Sequence, residues 1–149
     1  MTSALDITNL HVTYRRGARR THAVAGVDLT VGAGEAVVLV GESGSGKSSI
    51  ARSVLGLLGS SADTAGKVEI GGTDAATLPK ADLRRLRGRT IGYVPQDPGS
   101  SLDPIRRILD QVVEPLNIHG IGDPKERRGL ALQALRDAGL TNADEIGTR

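Results

Sequence analysis

The chain has 149 residues, one domain's length, and a formal net charge of +2, too small to set up a strong field. It has no cysteine, which excludes a disulfide framework and thiolate metal ligands. Its only aromatic residues are two tyrosines, so a core must come from Leu, Ile, Val and Ala.

Residues 1–6 lack a basic stretch followed by an apolar one and do not read as a signal peptide. Residues 5–14 alternate, with a shift between Ile7 and Leu10, and predict a strand with a bulge. Residues 15–21 read as a basic loop around Gly17. Residues 22–31 alternate again through Val27, Leu29 and Val31, so the two stretches predict an antiparallel pair. Residues 36–40 (Ala-Val-Val-Leu-Val) form a continuous apolar run, the pattern of a parallel strand covered on both faces. This longest aliphatic run is far short of the roughly 20 residues of a membrane span, so the protein is expected to be soluble, with any membrane link through a partner.

A loop over 41–46 leads into a predicted helix over 47–58, apolar at Ile50, Val54, Leu57 and Leu58 and ended near Gly59. A short strand at 68–70, a Gly71-Gly72 turn, a helix at 79–86 starting on Pro79 and a strand at 91–94 holding Tyr93 in the core follow. Residues 95–104 are a proline-rich loop. Helices are expected at 105–118, disturbed by Pro115, and at 124–138, capped by Asp123 and ended by Gly139. The arginines at 15, 16, 19 and 20, at 84, 85, 87 and 89 and at 127 and 128 read as solvated surfaces rather than a nucleic-acid footprint.

Gly41-Glu42-Ser43-Gly44-Ser45-Gly46-Lys47-Ser48 fits G-x-x-x-x-G-K-[ST] between an apolar strand and a helix. A triphosphate is held by backbone N–H groups curled around it, which the three glycines permit. The start of the helix adds unpaired N–H groups and the positive end of its dipole. Lys47 brings a mobile charge for the β- and γ-phosphates. The Ser48 hydroxyl is a hard ligand for Mg²⁺, and Ser49 can reach the α-phosphate. A dinucleotide fold is disfavoured, because G-x-G-x-x-G would need glycine where Ser49 stands. Asp63-Thr64-Ala65-Gly66 fits the D-x-x-G of a GTPase but lies too close after Lys47, and no N-K-x-D follows.

This loop, together with Arg87-Gly88-Arg89, Val94-Pro95-Gln96-Asp97-Pro98 and Ser101-Leu102-Asp103-Pro104, resembles an ABC-type ATPase, most closely the ATP-binding subunits of dipeptide, oligopeptide and nickel importers. The resemblance covers residues 5–140. It implies an α/β P-loop NTPase fold: an antiparallel β region (1–35), the first part of a nucleotide-binding core (36–96) and the start of a helical subdomain (97–149). It also implies ATP and Mg²⁺ as ligands, Gln96 as the glutamine reaching the Mg²⁺ or the attacking water, and Tyr14 as the ring stacked on adenine. Expected partners are membrane permease subunits and a second ATPase subunit, with no nucleic acid, at the inner face of the cell membrane.

The L-S-G-G-Q signature and a Walker B strand are not found, and His11, His22 and His119 do not fit the family's switch histidine, so no catalytic residue is assigned. The chain therefore reads as a fragment, inactive alone, of an ATP hydrolase. In the resembled fold the strands at 36–40 and 91–94 have other strands beside and between them, so the sheet is expected to be incomplete. A non-transport ATPase of the same family and an inactive truncated product stay open as alternatives.

Overall fold

Apolar side chains at every second position draw residues 3–32 into the long hairpin that the alternation predicts. The computed structural model describes residues 3–140 and 142–146. They fall into two units, Met1–Arg84 and Arg85–Arg149.

In the first unit, β1 (Ser3–Arg16), β2 (Arg19–Gly32), β3 (Ala62–Ile70) and β4 (Thr73–Asp74) form an antiparallel sheet in the order β2-β1-β3-β4. Helix α1 (Lys47–Val54) contacts β1, β2 and β3. Ile7, Leu10, Val12, Val24, Val68 and Ile70 from the sheet are buried, as are Ile50, Val54 and Leu55 from α1 and its end. The predicted bulge falls at Asn9, whose φ is +48°, where the pairing register shifts between Ile7 and Leu10. Near the base of the hairpin, hydrogen bonds from Ser3 Oγ and Thr30 Oγ1 hold the Asp6 carboxyl below the usual carboxylate range.

Several elements differ from the sequence expectation. The basic loop shrinks to a turn at Gly17-Ala18, because Arg15 pairs with Arg20 and Arg16 with Arg19 in the ladder. Strand β3 starts at Ala62 instead of 68: the free edge of β1 supplies ladder partners to a segment with no alternation of its own. Helix α1 stops at Val54 instead of 58. Gly56 turns left-handed (φ +59°), its N–H bonds Ser53 O, and the Leu57 N–H reaches back to Arg52 O at 2.8 Å, closing the helix end. The Gly71-Gly72 turn forms as expected, with positive φ at both residues, and joins β3 to β4.

The apolar run at 36–40 does not become a buried strand. Among the described residues nothing pairs with it, and Val38 and Val40 are 80% and 87% exposed. The run's composition suits a covered strand, but the sheet that forms is built from β1–β4. Residues 91–94 behave alike: a single bridge links Arg87 and Ile91, Val94 is exposed, and Tyr93, expected in the core, is 45% exposed. Among the described residues both segments thus stand outside the four-stranded sheet.

Helix α2 (Lys80–Leu86) starts one residue after Pro79, whose carbonyl accepts its first hydrogen bonds. In the second unit, α3 (Ile108–Ile118), α4 (Pro124–Asp137) and α5 (Ala143–Ile146) bury Leu109, Ala131, Leu135 and Ala143 against one another. A 3-10 turn at Pro98–Ser101 lies inside the predicted loop. Helix α3 begins at 108, not 105, because the Gln111 side chain binds Asp103 N–H, Asp103 O and Arg106 O and holds that stretch as a loop. Pro115 does not break it; so near the C-terminus its missing N–H removes one internal bond, and the helix runs on to Ile118.

The Asp123 cap forms as predicted and is reinforced by a reciprocal bond that the Asp123 N–H donates to the Glu126 carboxylate. Gly139 (φ +90°) ends α4. Replacing Asp123 with Ala should cost about 1 kcal/mol, read as a fall of roughly 2–4 °C in the thermal midpoint.

Candidate functional site

The loop at 41–46 enters α1 through Gly46, which stands at the N-cap with φ +94°. A side chain there is excluded twice: the backbone is left-handed, and a Cβ would lie 2.2 Å from the Ala23 carbonyl oxygen of β2. The loop is therefore seated directly on the hairpin. Gly46 has no side chain to cap the helix, and the first turn holds no acidic residue. Its leading N–H groups form a positive end with no carboxylate of the helix's own set against it.

Lys47 folds back over this loop. Its ammonium donates to Gly41 O and Glu42 O, both at 2.7 Å, and to Ser45 Oγ at 3.2 Å. These bonds hold a positive charge at the loop, and they are made to exposed carbonyl and hydroxyl oxygens that water can satisfy when the ammonium moves to an anion. Glycine-permitted backbone, helix start and ammonium thus converge on a cradle suited to a multiply charged oxyanion. Ser48 is exposed in the first turn of α1.

Tyr14 lies near the end of β1, half-buried, with its hydroxyl 3.2 Å from Ser49 Oγ on α1. The fold thereby brings two predicted site residues, 35 positions apart, into contact across the hairpin and the loop helix. Gln96 belongs to the second unit, exposed in the irregular stretch before the 3-10 turn.

Other candidates are engaged elsewhere. Asp63, the acid of the D-x-x-G match, lies in β3 and pairs with Arg15 at 2.8 Å. His11 contacts Asn9, and His22 contacts Thr13. An open groove of about 290 Å³ runs along β3, lined by Leu10, Val68, Ala75 and Leu83 among others, and includes none of the predicted site residues. What the sequence could not supply is the Ala23 carbonyl that fixes Gly46; its only local trace is the glycine itself.

A family model described as ABC transporter matches residues 24–148. The oligopeptide transport ATP-binding protein OppD of Mycobacterium tuberculosis is 42% identical over 119 residues, 80% of this chain and 19% of OppD. A putative peptide import ATP-binding protein of Brucella abortus is 39% identical over 93% of the chain and 43% of its own length. The AppD protein of Bacillus subtilis, an oligopeptide transport ATP-binding protein, is 34% identical over 98% of the chain and 45% of AppD. The chain spans less than half the length of these curated relatives. Among solved structures, the dimeric MJ0796 bacterial ABC transporter cassette superposes with a TM-score of 0.80 at 30% identity, covering 93% of this chain and 58% of that one. A second structure of that cassette, in a post-hydrolysis state bound to ADP and Pi, gives a TM-score of 0.77 at 28% identity. No helix among the described residues is long and apolar enough to cross a membrane.

Proposed function

Because this chain belongs to the ABC transporter family, we propose that it is nucleotide-binding sequence from the energy-coupling subunit of an importer of peptides or similar small solutes. The observation that carries the reading is the loop itself: Gly46 locked against Ala23 O, an uncapped start of α1, and the Lys47 ammonium held across Gly41, Glu42 and Ser45. In this reading Gly41–Ser48 would wrap the phosphates of ATP, the Ser48 hydroxyl would hold Mg²⁺, Ser49 would lie toward the α-phosphate, and Gln96 keeps only the Mg²⁺- or water-contacting role that the resemblance implies. The metal would neutralise charge on the phosphate oxygens.

Tyr14 is assigned the adenine. Its contact with Ser49 supports this, because it keeps the ring beside the first turn of the loop helix, where a base would lie once its phosphates entered the loop. Peptide import comes from the relatives' names; permease subunits, a second ATPase subunit and a position on the inner membrane face belong to the proposal for the whole protein.

The test is a titration with Mg-ATP, competed with GTP, joined to co-purification of the protein with membrane permease or with nucleic acid. Saturable ATP binding preferred over GTP, with permease retained, is expected. Nucleic acid retained in place of permease favours the non-transport branch of the family, and GTP winning the competition removes the reading.

A further inference from the structure

On β1, Leu10, Val12, Tyr14 and Arg16 share one face. Leu10 and Val12 are buried, and Tyr14 meets Ser49 of α1, so this is the side on which α1 and its loop lie. Across the ladder Thr21 stands opposite Tyr14, and Arg19 opposite Arg16. Arg16 and Arg19 therefore continue Tyr14's face about 7 Å farther along the hairpin, at roughly 3.3 Å per residue. Arg15 and Arg20 take the other face, where Arg15 is neutralised by Asp63. Among the described residues neither Arg16 nor Arg19 has a carboxylate partner, and both are exposed.

Two guanidinium groups set opposite each other in an antiparallel pair repel. Here they do so at the open end of the face that carries Tyr14 and, behind it, the loop. Their planar forks match phosphate oxygens, whereas Lys47 offers a point charge. We propose that Arg16 and Arg19 form a cationic rim that captures the polyphosphate of an incoming nucleoside triphosphate and steers it toward the loop. The proposal rests on the nucleotide-binding reading above. A rim of this kind acts on approach, so it raises the association rate and leaves dissociation nearly unchanged.

Stopped-flow binding of a ribose-labelled fluorescent ATP separates the two rates. With Arg16→Gln and Arg19→Gln together, association at about 0.05 M salt should slow roughly three- to tenfold, with dissociation within about twofold of the parent. The difference should vanish near 0.5 M salt. Arg20→Gln removes one charge from the same tip on the other face, and should have less than half the effect of Arg16→Gln. Unchanged association, equal losses in Arg16→Gln and Arg20→Gln, or a change confined to dissociation overturns the rim. Such results leave the nucleotide reading standing if Lys47→Ala still weakens binding of the labelled ATP about tenfold or more. A parent protein that binds no labelled ATP overturns both.

Discussion

Replacing Lys47 with Ala should weaken Mg-ATP binding about 10- to 100-fold, the loss of charge-assisted hydrogen bonds to phosphate worth roughly 1.5–3 kcal/mol. Turnover by the protein containing this loop should fall further, by about 10²–10³, since charge stabilisation counts most in the transition state. The fold should be untouched. Among the described residues the Lys47 ammonium bonds to Gly41 O, Glu42 O and Ser45 Oγ, all on exposed residues that water can serve. A thermal midpoint within about 2 °C of the parent is therefore expected. Lys47→Arg should not rescue binding, because a planar fork replaces the compact ammonium that reaches Gly41 O, Glu42 O and Ser45 Oγ together. Isothermal titration with Mg-ATP, beside a thermal melt of the same samples, checks both halves. Parent-like affinity in the alanine variant removes the nucleotide from the loop.

The second large effect is structural. Gly46→Ala should cost about 3–5 kcal/mol, because the left-handed backbone alone accounts for roughly 1–2 kcal/mol and the Cβ would meet Ala23 O at 2.2 Å. Total stability is only about 5–15 kcal/mol for a typical domain, and a fall of roughly 6–20 °C in the melting midpoint is expected. Gly44→Ala is the internal comparison. Gly44 also has positive φ, +86°, but a Cβ there meets nothing within 4 Å. It should show only the conformational part, roughly 1–2 kcal/mol. If the two variants melt together, the contact between loop and hairpin is not what fixes Gly46.

Segments whose determinants lie within a few residues are legible in the sequence. The loop at 41–46 is contiguous, so its glycine turns and the start of α1 at Lys47 were announced by spacing alone. Asp123 with Glu126, and Gly139, set the ends of α4 for the same reason: a helix cap is decided within one turn. The end of α1 was missed because two glycines competed for it. Gly56 takes the left-handed position that closes the helix, ahead of Gly59.

Strand pairing answers to a different physics. Residues 62–67 carry no alternation, yet they are strand because β1 presents a free edge, and Gly66 lets them pass the bulge where any Cβ would strike Asn9 O. Residues 36–40 carry a strong strand composition, yet no described strand offers them a partner. By itself the sequence determined the glycine-rich loop before α1, the alternating hairpin and the caps of α4, all written in neighbouring residues. Only the tertiary structure decided which edges meet, how Tyr14 reaches Ser49, and why Gly46 admits no side chain. Those depend on atoms brought together from distant positions, and no local spacing encodes that closeness.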